Sequence, residues 1–182
     1  AGDDHRVKYR LRSYSPTLAA ASLVRVELKV RKSTVMAKHG AIVSPAAYLS
    51  FRERRRWPET SDPVLEEFER CLHLLSLEPL VLIEYLREGF EDRARGDLRI
   101  TFDHRVQSAH AVDLFPEGPV FFRTHHPLGV VLEIKGRRDP PAWLRRLVRV
   151  QGLELIANSK YTQGILAARH DLYHPGGVVV IR

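Results

Sequence analysis

Basic side chains recur at every second residue near the start of the chain: Lys8, Arg10 and Arg12, then Arg25, Lys29 and Arg31, with Glu27 among the second group. Alternate residues of a β-strand share a face, so this spacing collects each group on one side of a strand. Guanidinium and ammonium groups arrayed in this way suit an anion with many oxygens, and arginine forks grip phosphate bidentately. The arrangement returns later in Arg87, in Arg99, Thr101 and Asp103, and in Glu133 and Lys135. The few carboxylates in such a basic lining carry the most chemical interest, because a divalent ion on a phosphate substrate is typically held by one or two carboxylates plus substrate oxygens. Glu133 and Glu27 are the candidates.

Five segments with period-2 alternation must present these side chains: 7–14, 23–31, 80–87, 98–103 and 129–135. In the first, Lys8, Arg10, Arg12 and Tyr14 oppose Val7, Tyr9 and Leu11; in the second, Arg25, Glu27, Lys29 and Arg31 oppose Val24, Val26, Leu28 and Val30. The third is mixed, with Tyr85 and Arg87 opposite Leu82, Glu84 and Leu86. Four helices are predicted around these strands. Ser44 and Pro45 form an N-cap and first-turn pair for a helix that the run Arg54-Arg55-Arg56 closes, and Asp62 and Pro63 open a second with Leu65, Phe68, Leu72 and Leu75 at helical spacing. A third starts at Asp139, buries Trp143, Leu144, Leu147 and Val148, and stops at Gly152; the last runs from about Ser159 to Arg169. The order reads as one α+β domain over 1–182 with an antiparallel sheet, and residues 176–182 could add a short strand.

The 182 residues hold 29 Lys+Arg against 22 Asp+Glu, a formal charge of +7, with ordinary globular proportions of hydrophobic and charged residues. Disorder and fibrous architectures are thereby excluded as the main state. The charged strand faces hold nine Lys or Arg (Lys8, Arg10, Arg12, Arg25, Lys29, Arg31, Arg87, Arg99, Lys135) and three carboxylates, so nearly the whole positive excess sits on one kind of surface. Like charges across neighbouring strands repel, and such a surface calls for an anion that neutralises it. The single cysteine, Cys71, excludes an intrachain disulfide and a cysteine-based zinc site and fits a reducing compartment, and its leucine neighbours suggest a buried thiol. No apolar run approaches the ~20 residues that cross a bilayer. No signal peptide is visible, so a cytoplasmic chain without a transmembrane segment is expected, although the chain opens at Ala1 without methionine.

The stretches Tyr9-Arg10-Leu11-Arg12-Ser13-Tyr14, Val26-Glu27-Leu28-Lys29, Tyr85-Leu86-Arg87, Asp97-Leu98-Arg99-Ile100-Thr101-Phe102-Asp103, Val131-Leu132-Glu133-Ile134-Lys135 and Asn158-Ser159-Lys160-Tyr161, in this order, resemble the polyphosphate polymerase (vacuolar transporter chaperone, VTC) domain. That family belongs to the triphosphate tunnel metalloenzymes and is related to the CYTH domains. The resemblance covers about residues 7–168 and implies an antiparallel β-barrel with flanking helices. In its tunnel ATP and inorganic polyphosphate would lie among basic side chains with Mn²⁺ or Mg²⁺. It implies phosphate-holding and catalytic roles for Arg10, Arg12, Lys29, Arg99 and Lys160, further substrate contacts from Lys8, Arg31, Arg87 and Lys135, and a metal-binding role for Glu133, with Glu27 as a second metal candidate. The reaction implied is transfer of the terminal phosphoryl group of ATP to a growing polyphosphate chain; hydrolysis of a triphosphate by a sibling activity differs only in the attacking group. Family members begin with further strands, so either the chain is a fragment or the tunnel is open on one side. Open strand edges would invite association with another chain.

Other readings compete. The run Arg52 to Arg56 with Trp57, and the cluster Arg145, Arg146 and Arg149, could contact nucleic acid, with Tyr14, Tyr85 and Trp57 as the available aromatics, but such runs are more often solvated helix faces and no nucleic-acid partner is expected. A noncatalytic polyanion-binding module would keep the bases and lose the metal chemistry. His125-His126 on a strand would point to opposite faces, which argues against a chelating pair, and Trp143 at helical spacing reads as core.

Overall fold

The computed structural model describes residues 5–32, 35–58, 61–93, 96–110, 113–136 and 139–168. The expected strand at 176–182 lies outside them. The chain divides into two compact units, residues 1–79 with 111–119, and residues 80–110 with 120–182. Both are α+β with antiparallel sheets, as the sequence predicts.

In the first unit, β1 (His5–Arg12), β2 (Val24–Lys32) and β3 (Val35–Val43) form a meander with β2 in the middle. Helices α1 (Pro45–Arg54) and α2 (Pro63–Leu74) follow. Alternation sends Val24, Val26, Leu28, Ala41 and Val43 to one face, where they pack into a single core with Tyr48, Phe51, Trp57, Leu65, Phe68 and Leu72. Phe51 stacks on Trp57 with centroids 3.9 Å apart, and Phe68 meets Tyr9 edge-on at 5.9 Å. Both caps form as predicted. Ser44 Oγ accepts from the Ala47 amide at 3.1 Å and Asp62 Oδ1 from the Val64 amide at 2.8 Å, each with proline in the first turn. Arg55 ends α1 in the left-handed region, φ 58°.

Strand β3 is a correction to the sequence reading, which has no strand there. Its outward positions, Met36, Lys38, Gly40 and Ile42, are mostly apolar or small, so the polar half of the alternation is missing although the register with β2 is unbroken. Trp57 also moves. It is buried in the core and is no exposed aromatic, and three members of its basic run are tied to carboxylates, Arg52 to Asp113 and Glu117, Arg55 to Glu78, and Arg56 to Glu69.

The second unit is built on β5 (Leu98–Ala109). On one side it pairs with β4 (Leu82–Glu91); on the other, its first half pairs with β7 (Val131–Gly136) and its second half with β6 (Arg123–Thr124). A register shift between Glu84 and Leu86 faces Arg105, whose φ of 50° absorbs an extra residue. This bulge explains why the alternation legible at 98–103 breaks off while the strand continues for six more residues. Helices α3 (Ala142–Val150) and α4 (Lys160–Ala168) complete the unit. Trp143 and Leu147 are exposed rather than core, because α3 rests on its unit through Leu144 and half-buried Val148 alone among these four.

Candidate functional site

The first unit's outward sheet face carries every basic residue expected of it, and the strand register sets them in rungs. Lys8, Lys29 and Lys38 lie directly opposite one another across β1, β2 and β3; Arg10, Glu27 and Gly40 form the next rung, and Arg12, Arg25 and Ile42 the one after. Three ammonium-bearing residues abreast at strand spacing repel one another. Among the described residues, Lys29 at the centre of that row makes no ion pair with a carboxylate.

Glu27 organises the face. Its carboxylate is buried, and both oxygens are engaged: Oε2 takes Arg10, whose Nε lies 2.5 Å away, and the more distant Arg12 at 3.8 Å, while Oε1 takes Lys38 at 2.8 Å. Burial works to raise its pKa, but the Lys38 hydrogen bond and the charges of Arg10 and Arg12 outweigh it and hold the carboxyl below its ordinary range. Gly40 lies opposite Glu27, and a Cβ there would make only ordinary contact with Glu27 Cγ, at 4.0 Å. Arg12 and Arg25 flank the Tyr14 ring at about 6 Å. Lys38 is a member of the array that sequence reasoning missed along with its strand.

The second unit repeats the logic with Asp103, which is fully buried. Arg87 forks onto it through Nε at 2.6 Å and an Nη at 2.7 Å, and Lys160 reaches Oδ2 at 2.6 Å. Burial again works to raise the carboxyl's pKa and is outweighed by these two partners, leaving it lowered. Lys160 comes from the first turn of α4, where its positive charge opposes the helix dipole; the Asp103 carboxylate offsets that. The Tyr85 ring sits beside both cations, 5.2 Å from Arg87 and 5.4 Å from Lys160. Along the same face Arg99 stands opposite Lys135, and Thr101 opposite Glu133. Thus Arg87, Arg99, Glu133, Lys135 and Lys160 come together on one side of this sheet, as expected, around a hub, Asp103, to which the sequence reading gives no role.

The carboxylates differ in what they could hold. Glu133 is 38% exposed, with Lys135 at 3.0 Å and Arg87 at 3.6 Å, and its pKa is lowered because these cations and Lys160 outweigh its burial. Its register partner Thr101 has a buried Oγ without a hydrogen-bond partner. One accessible carboxylate suits a divalent ion that takes the rest of its coordination from phosphate and water. Glu27 suits one poorly, since a metal would have to displace cations from both oxygens. Among the described residues no group of three or more His, Cys, Asp or Glu forms a protein-only metal site. His125 instead binds Ser108 Oγ through Nε2 at 2.5 Å, and burial, its largest influence, lowers its pKa.

Two sheet faces that are cationic, carboxylate-keyed and aligned with the expected motifs agree with the comparison to known families. The VTC domain matches residues 1–169, across both units. No curated protein matches the chain. With a match over most of its length, the chain belongs to the VTC domain family, which is associated with polyphosphate synthesis.

Proposed function

We propose that this chain is a polyphosphate polymerase-type domain, a metal-dependent phosphotransferase that moves the terminal phosphoryl group of ATP onto a growing inorganic polyphosphate chain in a basic tunnel. The observation that carries the reading is the keying of cations by buried carboxylates: Glu27 fixes Arg10, Arg12 and Lys38, and Asp103 fixes Arg87 and Lys160. Charges fixed in advance can stabilise phosphate oxygens without reorganising as the reaction proceeds. Salt bridges made only for stability have no need of further bases beside them, yet Lys29 stands in the first unit's rows, and Arg99 and Lys135, paired with Glu91 and Glu133, stand beside Arg87 and Lys160 in the second.

In the reaction, an oxygen of the polyphosphate terminus forms a bond to the γ-phosphorus as the bond to the β–γ bridging oxygen breaks and ADP leaves. Arg10, Arg12, Lys8, Lys29 and Arg31 are the phosphate-binding bases of the first unit's sheet face, and Arg87, Arg99, Lys135 and Lys160 are those of the second unit's. Bases of this kind align the reacting groups and take up charge that moves to the leaving oxygen. Mn²⁺ or Mg²⁺, held by Glu133, would neutralise charge on the phosphate oxygens when bound. A single buried cysteine accords with a cytoplasmic setting, and no described helix is long and apolar enough to cross a membrane.

The test is incubation of the purified chain with ATP and Mn²⁺, following polyphosphate and free phosphate beside Glu133→Ala. Polymer that disappears in the variant is expected. Phosphate without polymer would make the chain a triphosphate hydrolase, and salt-sensitive triphosphate binding without either product would make it a noncatalytic polyanion-binding module.

A further inference from the structure

Helix α3 carries a feature that the phosphate chemistry does not use. Trp143, Leu147 and Val150 fall at i, i+4 and i+7 and form one stripe, 55%, 46% and 70% exposed. Leu144 and Val148, which hold the helix on its unit, form a second stripe about 110° away at the ~100° turn per residue of an α-helix. Arg145, Arg146 and Arg149 occupy the remaining side. The helix contains no carboxylate, and among the described residues no ion pair reaches its arginines. Beyond its end the chain stays exposed through Leu153, Leu155 and Ile156, extending the apolar surface.

We propose that α3 is a docking surface for an anionic lipid bilayer, with Trp143, Leu147 and Val150 entering the boundary between headgroups and acyl chains and the three arginines meeting the anionic headgroups. An apolar stripe bearing tryptophan and bordered by uncompensated arginines is the pattern of a helix that lies in the plane of a membrane interface. The charge decides the occupant. Nucleic acid would satisfy the arginines but leave Leu147 and Val150 against water, and a second copy of α3 would bring the same uncompensated charge to the contact. A helix of nine residues inserts shallowly, so the docking is reversible and depends on lipid charge.

The experiment is sedimentation of the full chain with phosphatidylcholine vesicles, with and without a quarter phosphatidylserine, together with tryptophan fluorescence. Trp57 is already buried, so a blue shift reports Trp143. Binding to the charged vesicles is expected to exceed binding to neutral ones by on the order of 10²-fold, since each interfacial arginine contributes roughly fivefold. Leu147→Glu with Val150→Glu should abolish it, and Arg145→Gln, Arg146→Gln and Arg149→Gln together should reduce it to the neutral level. Both sets alter exposed side chains, and the arginine set keeps the test decisive should the first unfold. The proposal is overturned if the chain ignores charged vesicles, if it binds them equally well with both sets in place, or if the stripe variants only dissociate an oligomer or release RNA.

Discussion

Glu27 and Asp103 each organise a basic surface from a buried position. Each takes two or more cations, and each is held ionised below its ordinary pKa of 4.5 or 3.8 by those partners against its own burial. A folded pKa below the unfolded one contributes stability that is complete above the unfolded value and lost as pH falls through the folded one. Unfolding midpoints should therefore hold from neutral pH to about 5 and fall below that, and Glu27→Gln with Asp103→Asn should flatten the acid limb in a pH series of urea unfolding curves. At pH 7 Asp103→Asn should cost about 2–4 kcal/mol, because it strands Arg87 and Lys160 with little solvent, and Glu27→Gln about half as much, because Arg10 and Lys38 are half exposed. Lys29→Gln should do the reverse. Relieving the Lys8–Lys29–Lys38 row should leave stability unchanged or raise it by a few tenths of a kcal/mol, while tripolyphosphate binding measured by calorimetry weakens severalfold. The strand bases of these arrays other than Lys38 were legible from i, i+2 spacing, whereas Lys160, on a helix, entered only through the family resemblance. Their hubs were not, because alternation assigns a residue to a face and says nothing of which neighbours its side chain reaches.

Among the elements, strands whose two faces differ in polarity and helices with a capping residue and proline were legible, β1, β2, α1 and α2 above all. Strand β3 was hidden because its outward residues other than Lys38 are apolar or small, and the second half of β5 because Arg105 breaks the period. Lys38 was lost with its strand, and Trp143 was misplaced because helical spacing shows that a stripe exists but not whether anything covers it. The contact of α4 with β5 yields a further expectation. A Cβ added at Gly164 would lie 2.9 Å from Ser108 Oγ and 3.0 Å from Val81 Cγ2, so Gly164→Ala must push the helix outward. A loss of about 1–3 kcal/mol is expected in urea unfolding, with weaker tripolyphosphate binding as Lys160 withdraws from Asp103. Ser44→Ala, at the α1 cap, should cost about 1 kcal/mol in the same assay and leave binding unchanged.

For the molecule as a whole, charge was the most readable property. The excess of +7 pointed to an anionic partner, and the structure gathers the alternating strand bases on one face of each unit's sheet. Binding of tripolyphosphate should accordingly weaken by an order of magnitude or more when salt rises from about 0.05 M to 0.5 M, as the Debye length shrinks to a few ångström. What spacing could not reveal is the path of the chain between its two units. Residues 111–119 leave the second unit after β5, serve the first, and return before β6. Phe115 fills the first unit's core beside Tyr48, and Asp113 accepts a hydrogen bond from the Tyr48 hydroxyl and pairs with Arg52 at 3.0 Å. A fragment cut after residue 79 would keep all three strands and both helices of that unit yet lose one wall of its interior, exposing Tyr48 and stranding its hydroxyl. Restored as a separate peptide, 111–119 should bind such a fragment and raise its melting temperature, so that the nine residues act as a detachable ligand for the sheet they complete.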